Sequence, residues 1–258
     1  MEVCLPVHLE LERKLAWVAW TGSEPPAGQV VVRTPARGLQ VGVVRGSPRE
    51  NRPGGSFVRM ASTADLERSR QQEQRADEIA WWLRARLRQS QMVAKVSRCA
   101  FSLDGERFYV FYSAEERVDL KPFLTGLAEQ SGARVEFVAL GPRESAAFTG
   151  TLGACGMESC CSTWLSDFAP VGIRMARDQQ LPLNPEKISG PCGRLLCCLA
   201  YEHPVYKELL SELPATKARV CTKAGVCGKV IKLEPLTGTV EILSEAGGVI
   251  RAAKEDLA

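Results

Sequence analysis

The segment Gly153-Ala154-Cys155-Gly156-Met157-Glu158-Ser159-Cys160-Cys161 is followed by a second copy of its pattern, Gly190-Pro191-Cys192-Gly193-Arg194-Leu195-Leu196-Cys197-Cys198. Both copies have the form G-x-C-G-x-x-x-C-C, and they are referred to below as the first and second cysteine phrases. Together they hold six of the ten cysteines within 44 residues, with the spacing C-x4-C-C-x30-C-x4-C-C. This repetition predicts two half-sites that close on one inorganic centre.

Thiolate chemistry determines which centre is expected. A thiolate that points into a protein needs a compensating cation, which a metal ion supplies. Four thiolates suit either an iron–sulfur cluster of the 4Fe-4S type or a tetrahedral zinc ion. Because adjacent side chains point apart, we expect one cysteine of each pair to face the centre. The candidate ligands are Cys155, Cys160 or Cys161, Cys192, and Cys197 or Cys198.

Arg194 lies between two candidate ligands and is the preferred residue to balance the negative charge of such a centre. Buried, reduced structural cysteines are the alternative interpretation of the two phrases. Disulfides rank lower, because nothing in the sequence indicates an oxidising compartment.

The whole chain has ordinary globular composition. It has 258 residues, of which 45% are apolar and 24% charged, enough for one to three compact units. The formal net charge of +3 is weak support for a nucleic-acid surface. An apolar run of about 18 residues is lacking, and so is a signal-peptide pattern. We therefore predict a cytoplasmic protein, in which cysteines favour metal or redox chemistry over disulfides.

Hydrophobic periodicity predicts an α+β fold with small β-barrel-like units at both ends. The predicted order is a small β unit at 1–60, a long polar helix at 61–91 and a ferredoxin-like α+β unit at 92–149. The cysteine-rich metal-binding segment follows at 150–202, and a second small barrel at 203–258.

Local signals place the main elements within these ranges. Ser62 and Asp65 form a capping-box pattern that predicts a helix over 62–90. Asp104-Gly105 predicts a β-hairpin, and Gly132 predicts the end of a helix that begins near Asp119. The Gly-, Pro- and Arg-rich residues 46–56 are predicted to form a mobile loop. The apolar stripe of the long helix is Ala76, Ile79, Ala80, Leu83 and Leu87.

The sequence between and around the phrases resembles a known family. From Cys160 to Gly190 it reads CCSTWLSDFAPVGIRMARDQQLPLNPEKISG, and Cys192-Gly193-Arg194-Leu195, Cys197-Cys198-Leu199 and Tyr201-Glu202 follow. These residues resemble the bacterial YaaT/RicT family, which carries the polymerase-suppressor-type C-terminal domain, and Arg117-Val118-Asp119 is a looser match. The first phrase departs from the family's Cys-Gly-Arg, because Met157 follows Gly156. All three of its cysteines are kept.

The resemblance implies a function. Members of this family join two small helical partners, RicA and RicF, in a complex that directs ribonuclease Y in mRNA processing and maturation. That complex influences sporulation, competence and biofilm formation. The resemblance therefore implies a non-catalytic, cytoplasmic regulatory subunit that binds an iron–sulfur cluster and acts within a protein complex.

The sequence is compatible with two other functions. A zinc-stabilised nucleic-acid-binding module is one, with the 8 basic and 5 acidic residues of positions 1–60 as its candidate RNA-facing surface. A thiol-redox protein is the other, although redox motifs normally space their thiols C-x-x-C. The sequence contains only His8 and His203 as histidines and lacks a recognisable catalytic triad or nucleotide-binding loop. We therefore expect no enzyme, and a satisfied surface role for His203 rather than a metal-ligating one.

The remaining four cysteines lie outside the phrases. Cys99 falls in a predicted strand and is expected to be a small core residue. Cys221 and Cys227 are additional to the family pattern, and we do not expect them to be ligands. No role is predicted for Cys4.

Overall fold

The computed structural model describes residues 2–22, 24–116 and 118–258, so that Arg117 of the Arg117-Val118-Asp119 match lies outside the described residues. The strands are β1 (Glu2–Leu9), β2 (Lys14–Ala19), β3 (Gln29–Thr34), β4 (Gly38–Val44), β5 (Arg49–Asn51), β6 (Gly55–Met60), β7 (Lys95–Phe101), β8 (Arg107–Ser113), β9 (Arg134–Ala139), β10 (Arg219–Cys221), β11 (Cys227–Glu234), β12 (Thr239–Ser244) and β13 (Val249–Ala253). The helices are α1 (Thr63–Gln89), α2 (Leu124–Ser131), α3 (Pro142–Thr149), α4 (Cys160–Thr163), α5 (Ile173–Asp178), α6 (Pro185–Ile188) and α7 (Cys197–Ser211). The α+β fold class is as predicted.

The chain divides into two compact units. The first unit is Met1–Phe168 together with Gly190–Arg194, and the second is Ala169–Ser189 together with Leu195–Ala258. The first unit therefore contains the whole first phrase and the Cys192 turn of the second.

The first unit begins with a closed five-stranded barrel, which confirms the predicted N-terminal β-barrel. Strands β1, β2, β6, β3 and β4 pair in that order, and β4 pairs again with β1. Alternation of side chains along the strands sends one apolar set into the barrel. That set comprises the buried residues Leu5, Val7, Leu9, Val18, Val30 and Val32.

The predicted loop at residues 46–56 is wrong in part. Arg49–Asn51 forms β5, which pairs with β1, and β6 begins at Gly55 and pairs with β3 and β2. Glycine and proline are poor local strand signals. The strands form here because distant partners satisfy their backbone hydrogen bonds, and a local composition argument cannot detect such partners.

Helix α1 confirms the predicted long helix and its start. The Asp65 amide donates to the Ser62 hydroxyl at 3.2 Å, and the Ser62 amide donates to the Asp65 carboxylate at 2.8 Å. The Asp65 carboxylate also pairs with the Arg59 guanidinium. The predicted apolar stripe is buried, with Leu83 fully inaccessible to solvent.

The α1 stripe packs on the sheet β7-β8-β9, in which β7 and β8 are antiparallel and β8 and β9 parallel. The hairpin at Asp104-Gly105 forms as predicted, with Gly105 at φ +78°. Gly132 ends α2 in the left-handed conformation, also as predicted. Phe148 of α3 packs with Tyr109 and Phe111 in a separate core cluster. Helix α3 thereby leads the chain into the first phrase.

The second unit contains α5, α6, α7 and a four-stranded antiparallel sheet. The sheet has the order β10-β11-β12-β13, with Val230, Val240 and Ile242 fully buried beneath it. Helix α7 was not predicted, because Pro204 lies in its interior and proline usually interrupts a helix. Among the described residues, no helix has the length and apolar character needed to cross a bilayer.

Candidate metal centre

The first cysteine phrase folds into a tight β-hairpin. The Gly153 amide donates to the Met157 carbonyl at 2.8 Å, and the Gly156 amide donates to the Gly153 carbonyl at 3.0 Å. An isolated bridge between Leu152 and Glu158 closes the base of the hairpin. Cys155 therefore lies at the tip, directly before the glycine that turns the chain.

The second phrase folds in the same way. The Gly190 amide donates to the Arg194 carbonyl at 2.8 Å, and the Gly193 amide donates to the Gly190 carbonyl at 2.9 Å. An isolated bridge joins Ser189 and Leu195. Each of these contacts lies 37 residues after its counterpart in the first phrase, which is the separation of Cys155 and Cys192.

The two turns require glycine for the same reason. Gly156 has φ +78° and Gly193 has φ +73°, in the left-handed region that glycine adopts without steric cost. A β-carbon built on either residue would meet nothing within 4 Å. The constraint is therefore conformational, and the glycine of each phrase is a local requirement of the turn.

The repetition continues into the cysteine pairs. Cys160 and Cys161 begin α4, and Cys197 and Cys198 begin α7. The residue before each pair, Ser159 or Leu196, accepts a hydrogen bond from the amide three residues later, and its own amide donates to the carbonyl eight residues earlier. The sequence repeat is thus a repeat of structure, in which a hairpin tip carries one cysteine and the following helix start carries two.

The six thiols differ in exposure. Cys155 is exposed, Cys161 is buried, and the other four are half-buried. The Cys161 thiol lies 3.5 Å from the hydroxyl of Ser159, so this side chain is directed into the protein. The two cysteines of the first pair therefore differ in exposure, with Cys161 the more buried.

The predicted site residues are distributed over both compact units. Cys155, Cys160, Cys161, Cys192 and Arg194 belong to the first unit, whereas Cys197 and Cys198 belong to the second. Arg194 is exposed and takes part in its turn through its backbone carbonyl. Over the described part of the chain, no three Cys, His, Asp or Glu side chains are grouped to hold a metal ion. The two phrases nevertheless offer thiol side chains on equivalent turns, which is the donor chemistry that a thiolate-bound centre needs.

His203 has a protein partner. Its Nε2 atom lies 3.0 Å from the Asp178 carboxylate, within the second unit. The predicted role as a satisfied histidine is confirmed by this contact. Nearby, the buried Gln179 side chain donates to the Leu199 carbonyl at 2.7 Å and joins α5 to α7.

The sequence did not reveal a polar cavity of about 680 Å³ in the first unit. Thr151, Leu152, Glu158 and Ser162, in and around the first phrase, line part of it. His8 also lines the cavity, and a hydrogen bond links it to the backbone of Ser162. Burial lowers the pKa of His8, so the folded protein favours the neutral imidazole. A titratable group thus contacts the helix that follows the first phrase.

The cysteines outside the phrases are of two kinds. Cys99 is 2% exposed, which confirms it as a core residue, and burial raises the pKa of its thiol to about 12. Cys4 is also buried, and burial raises the pKa of its thiol. Cys221 and Cys227 form a disulfide. The expectation that the cysteines of this chain avoid disulfides is therefore wrong for this pair, because the β10–β11 register places the two residues opposite each other.

Comparison with known proteins agrees with the motif. Residues 55–140 match the PSP1 C-terminal conserved region, and residues 170–213 match the third domain of PSP1-like proteins. The second match includes the second phrase, whereas the first phrase lies between the two matched regions. No solved structure matches the chain. Both matches support the YaaT/PSP1 family, to which the sequence resemblance pointed.

One curated relative can be named within this family. The chain is 36% identical over 142 residues to the Stage 0 sporulation protein YaaT of Bacillus subtilis (strain 168). The aligned region is 55% of this chain and 51% of the relative. The chain thus spans about half the length of the curated relative that it matches.

Proposed function

We propose that the chain is a non-catalytic regulatory subunit that binds an iron–sulfur cluster through its two cysteine phrases. The observation that carries the proposal is the structural repeat at 37-residue spacing, in which both hairpins and both helix starts recur. A single structural cysteine needs no such duplication. Two copies of one thiol-bearing turn are expected where two half-sites supply equivalent ligands.

The repeat also orders the candidate ligands. Cys155 and Cys192 occupy equivalent hairpin tips, where their backbones are next to turn glycines. Within the first pair, Cys161 is directed into the protein against Ser159, so Cys160 is the better ligand. By the repeat, Cys197 is the counterpart of Cys160. The preferred ligands are Cys155, Cys160, Cys192 and Cys197, and when bound the cluster supplies a centre that is sensitive to oxygen and redox state.

Exposed apolar side chains support a role in binding other proteins. Leu152 and Met157 flank the first hairpin and are 67% and 71% exposed. Large exposed apolar side chains offer contact area to a partner protein. The relative's name refers to sporulation, and the family resemblance suggests small helical partners of the RicA and RicF type, with ribonuclease Y as the enzyme that the complex directs. We infer that loss of the cluster disturbs the first hairpin and with it this surface.

Anaerobic purification tests the cofactor. We expect a brown protein that absorbs at about 400 nm, with about four irons and matching sulfide per cluster. Cys192→Ser should lose the iron, whereas the Cys221→Ser/Cys227→Ser double variant, altered outside the phrases, should keep it. A colourless protein with one tightly bound zinc would show that the centre is a structural zinc ion and not a cluster. The absence of both iron and zinc from the wild-type protein would refute the metal centre.

A second experiment tests the regulatory role. Wild-type protein and Cys192→Ser are each mixed anaerobically with a RicA/RicF-type partner pair, and complex formation is measured by sedimentation. We expect the variant to bind at least several-fold more weakly than the wild type. Unchanged binding by an iron-free variant would refute the coupling between the cluster and the partner surface.

A further inference from the structure

The disulfide between Cys221 and Cys227 joins two neighbouring antiparallel strands of the second unit. The residues are direct partners in the register of β10 and β11, and their α-carbons are 4.0 Å apart. Six positions separate them along the chain. The crosslink therefore closes only a short hairpin that the backbone already holds together, which is unlike the long-range disulfides that stabilise small secreted domains.

The backbone hydrogen bonds show why both oxidation states fit this hairpin. The Thr222 amide donates to Val226 at 2.9 Å, and the Val230 amide donates to Ala218 at 2.9 Å. Because hydrogen-bonded pairs alternate with non-hydrogen-bonded pairs in an antiparallel ladder, Cys221 and Cys227 form a non-hydrogen-bonded pair. Opening the S–S bond would therefore remove no backbone hydrogen bond and would leave the two thiols adjacent.

The pair lies on the outer side of the sheet. Val220 and Val230 point into the core of the second unit, so the alternation of side chains directs Cys221 and Cys227 to the opposite side. Both cysteines are half-buried, so that a small molecule can reach them. Arg219 and Lys229 form the next residue pair on this side and are both exposed.

These neighbouring charges select the reagent. Arg219 pairs with the Glu245 carboxylate at 2.8 Å, which offsets its charge, whereas Lys229, two positions from Cys227 on the same side of the sheet, adds a second cation. Cations favour the thiolate form that attacks disulfides, and they attract anionic reactants. The site therefore suits a low-molecular-weight disulfide whose substituents carry carboxylate groups.

The hairpin is also connected to the last residues of the chain. The Ala258 amide donates to the Cys221 carbonyl at 2.9 Å, and the Lys223 amide donates to the Asp256 carbonyl at 2.7 Å. An isolated bridge joins Thr222 and Leu257. The pair thus lies next to residues 256–258, to which backbone hydrogen bonds tie the hairpin.

We propose that Cys221 and Cys227 form a thiol–disulfide exchange site for anionic low-molecular-weight disulfides. In the oxidising direction, one cysteine thiolate attacks the reagent RSSR, forming a mixed disulfide and releasing RS⁻. The second cysteine thiolate attacks the protein sulfur of the mixed disulfide, forming the Cys221–Cys227 bond and releasing a second RS⁻. Two electrons pass from the protein to RSSR, and the two thiol protons end on two RSH molecules.

The first test measures exchange on the full-length protein. The protein is equilibrated anaerobically in buffers that differ in the ratio of reduced to oxidised glutathione, and it is then alkylated and digested. The masses of the peptides that contain Cys221 and Cys227 are measured by mass spectrometry. We expect both cysteines to become alkylated together in one reversible transition. A pair that stays oxidised in the most reducing buffer, or that does not re-form the bond, would refute the site. This readout does not depend on whether the cysteine phrases hold a cluster.

Single variants test the two-step chemistry. Cys221→Ser and Cys227→Ser should each accumulate a mixed disulfide with glutathione that the wild-type protein resolves. If neither variant forms the adduct, direct exchange at this pair is wrong.

Charge selectivity is the third test. Oxidised glutathione, which is anionic, should oxidise the reduced pair on the order of tenfold faster than the cationic disulfide cystamine. Lys229→Gln should reduce this preference. Lys232→Gln, on the same strand but paired with Glu234 at 3.0 Å, is the matched control and should retain it. Equal rates with both reagents would refute the proposed selectivity.

Discussion

Replacement of Gly193 by alanine tests the left-handed turn on which the repeat depends. At φ +73°, an alanine costs about 1–2 kcal/mol more than glycine. The substitution also restricts the unfolded chain, which offsets about 0.4–1 kcal/mol of that cost. Since the added β-carbon meets nothing within 4 Å, no steric clash contributes. We therefore expect a net loss of about 1 kcal/mol in the free energy of unfolding.

Urea denaturation of metal-free protein, followed by tryptophan fluorescence, measures this loss. With a urea dependence of about 2 kcal/mol per molar, the midpoint should fall by about 0.5 M. Gly156→Ala should behave alike, because Gly156 has φ +78° and equally open surroundings. Gly193→Asn should recover part of the loss, because asparagine tolerates the left-handed region.

Gly54 is the matched control for this experiment. Its φ lies outside the left-handed region, and a β-carbon there would meet only the Trp17 carbonyl at 3.7 Å, an ordinary contact. Gly54→Ala should leave the free energy of unfolding nearly unchanged or raise it slightly. If Gly193→Ala matched this control, the shared turn geometry of the two phrases would be wrong.

Three further predictions follow from other parts of the first unit. Asp65→Asn should lower the free energy of unfolding by about 1–2 kcal/mol, measured by urea denaturation, because it weakens the capping box of α1. Pairing with Arg59 holds the pKa of Asp65 well below its usual range, so the Asp65 contribution is present above the unfolded pKa of about 3.9 and is lost as pH falls towards the folded value. A variant whose stability has the wild-type dependence on acid pH would contradict this prediction. Burial lowers the pKa of His8, so the unfolded chain takes up the proton first and stability should fall as pH drops below about 6.5. His8→Gln should flatten the dependence of the thermal-unfolding midpoint on pH in this range. An unchanged dependence on pH would argue against this role of His8. In metal-free protein, exposed Cys155 should react with maleimide within minutes, whereas Cys99, which is buried and has its pKa raised to about 12, should react only after unfolding. Comparable labelling rates of the two thiols, measured by peptide mass spectrometry, would contradict the burial of Cys99.

Several elements were predictable because their signals are local. Ser62 and Asp65 lie three residues apart, and their mutual hydrogen bonds start α1 without help from the rest of the fold. Gly105 and Gly132 each occupy a left-handed position that few other residues tolerate. The apolar stripe of α1 reports its buried face because helical periodicity alone brings residues such as Ile79 and Leu83 together.

Other features depend on partners far along the chain. Residues 49–51 become a strand only because β1 supplies its hydrogen-bonding edge, more than 40 positions away in sequence. Helix α7 forms despite Pro204, and its buried residue Leu199 packs with Ala176 and Ile188 of α5 and α6. Local composition carries no record of such contacts, so the predictions for these segments were wrong or missing.

The cysteines divide between the two sources of information. The sequence alone determined that two phrases repeat, and residue type and spacing led to the prediction that their six thiols share one kind of chemistry. Tertiary structure decided that Cys221 and Cys227 face each other, that Cys161 points inward and that Cys155 lies exposed at a hairpin tip. Register and burial arise from packing, and packing depends on contacts between residues that the sequence does not place side by side.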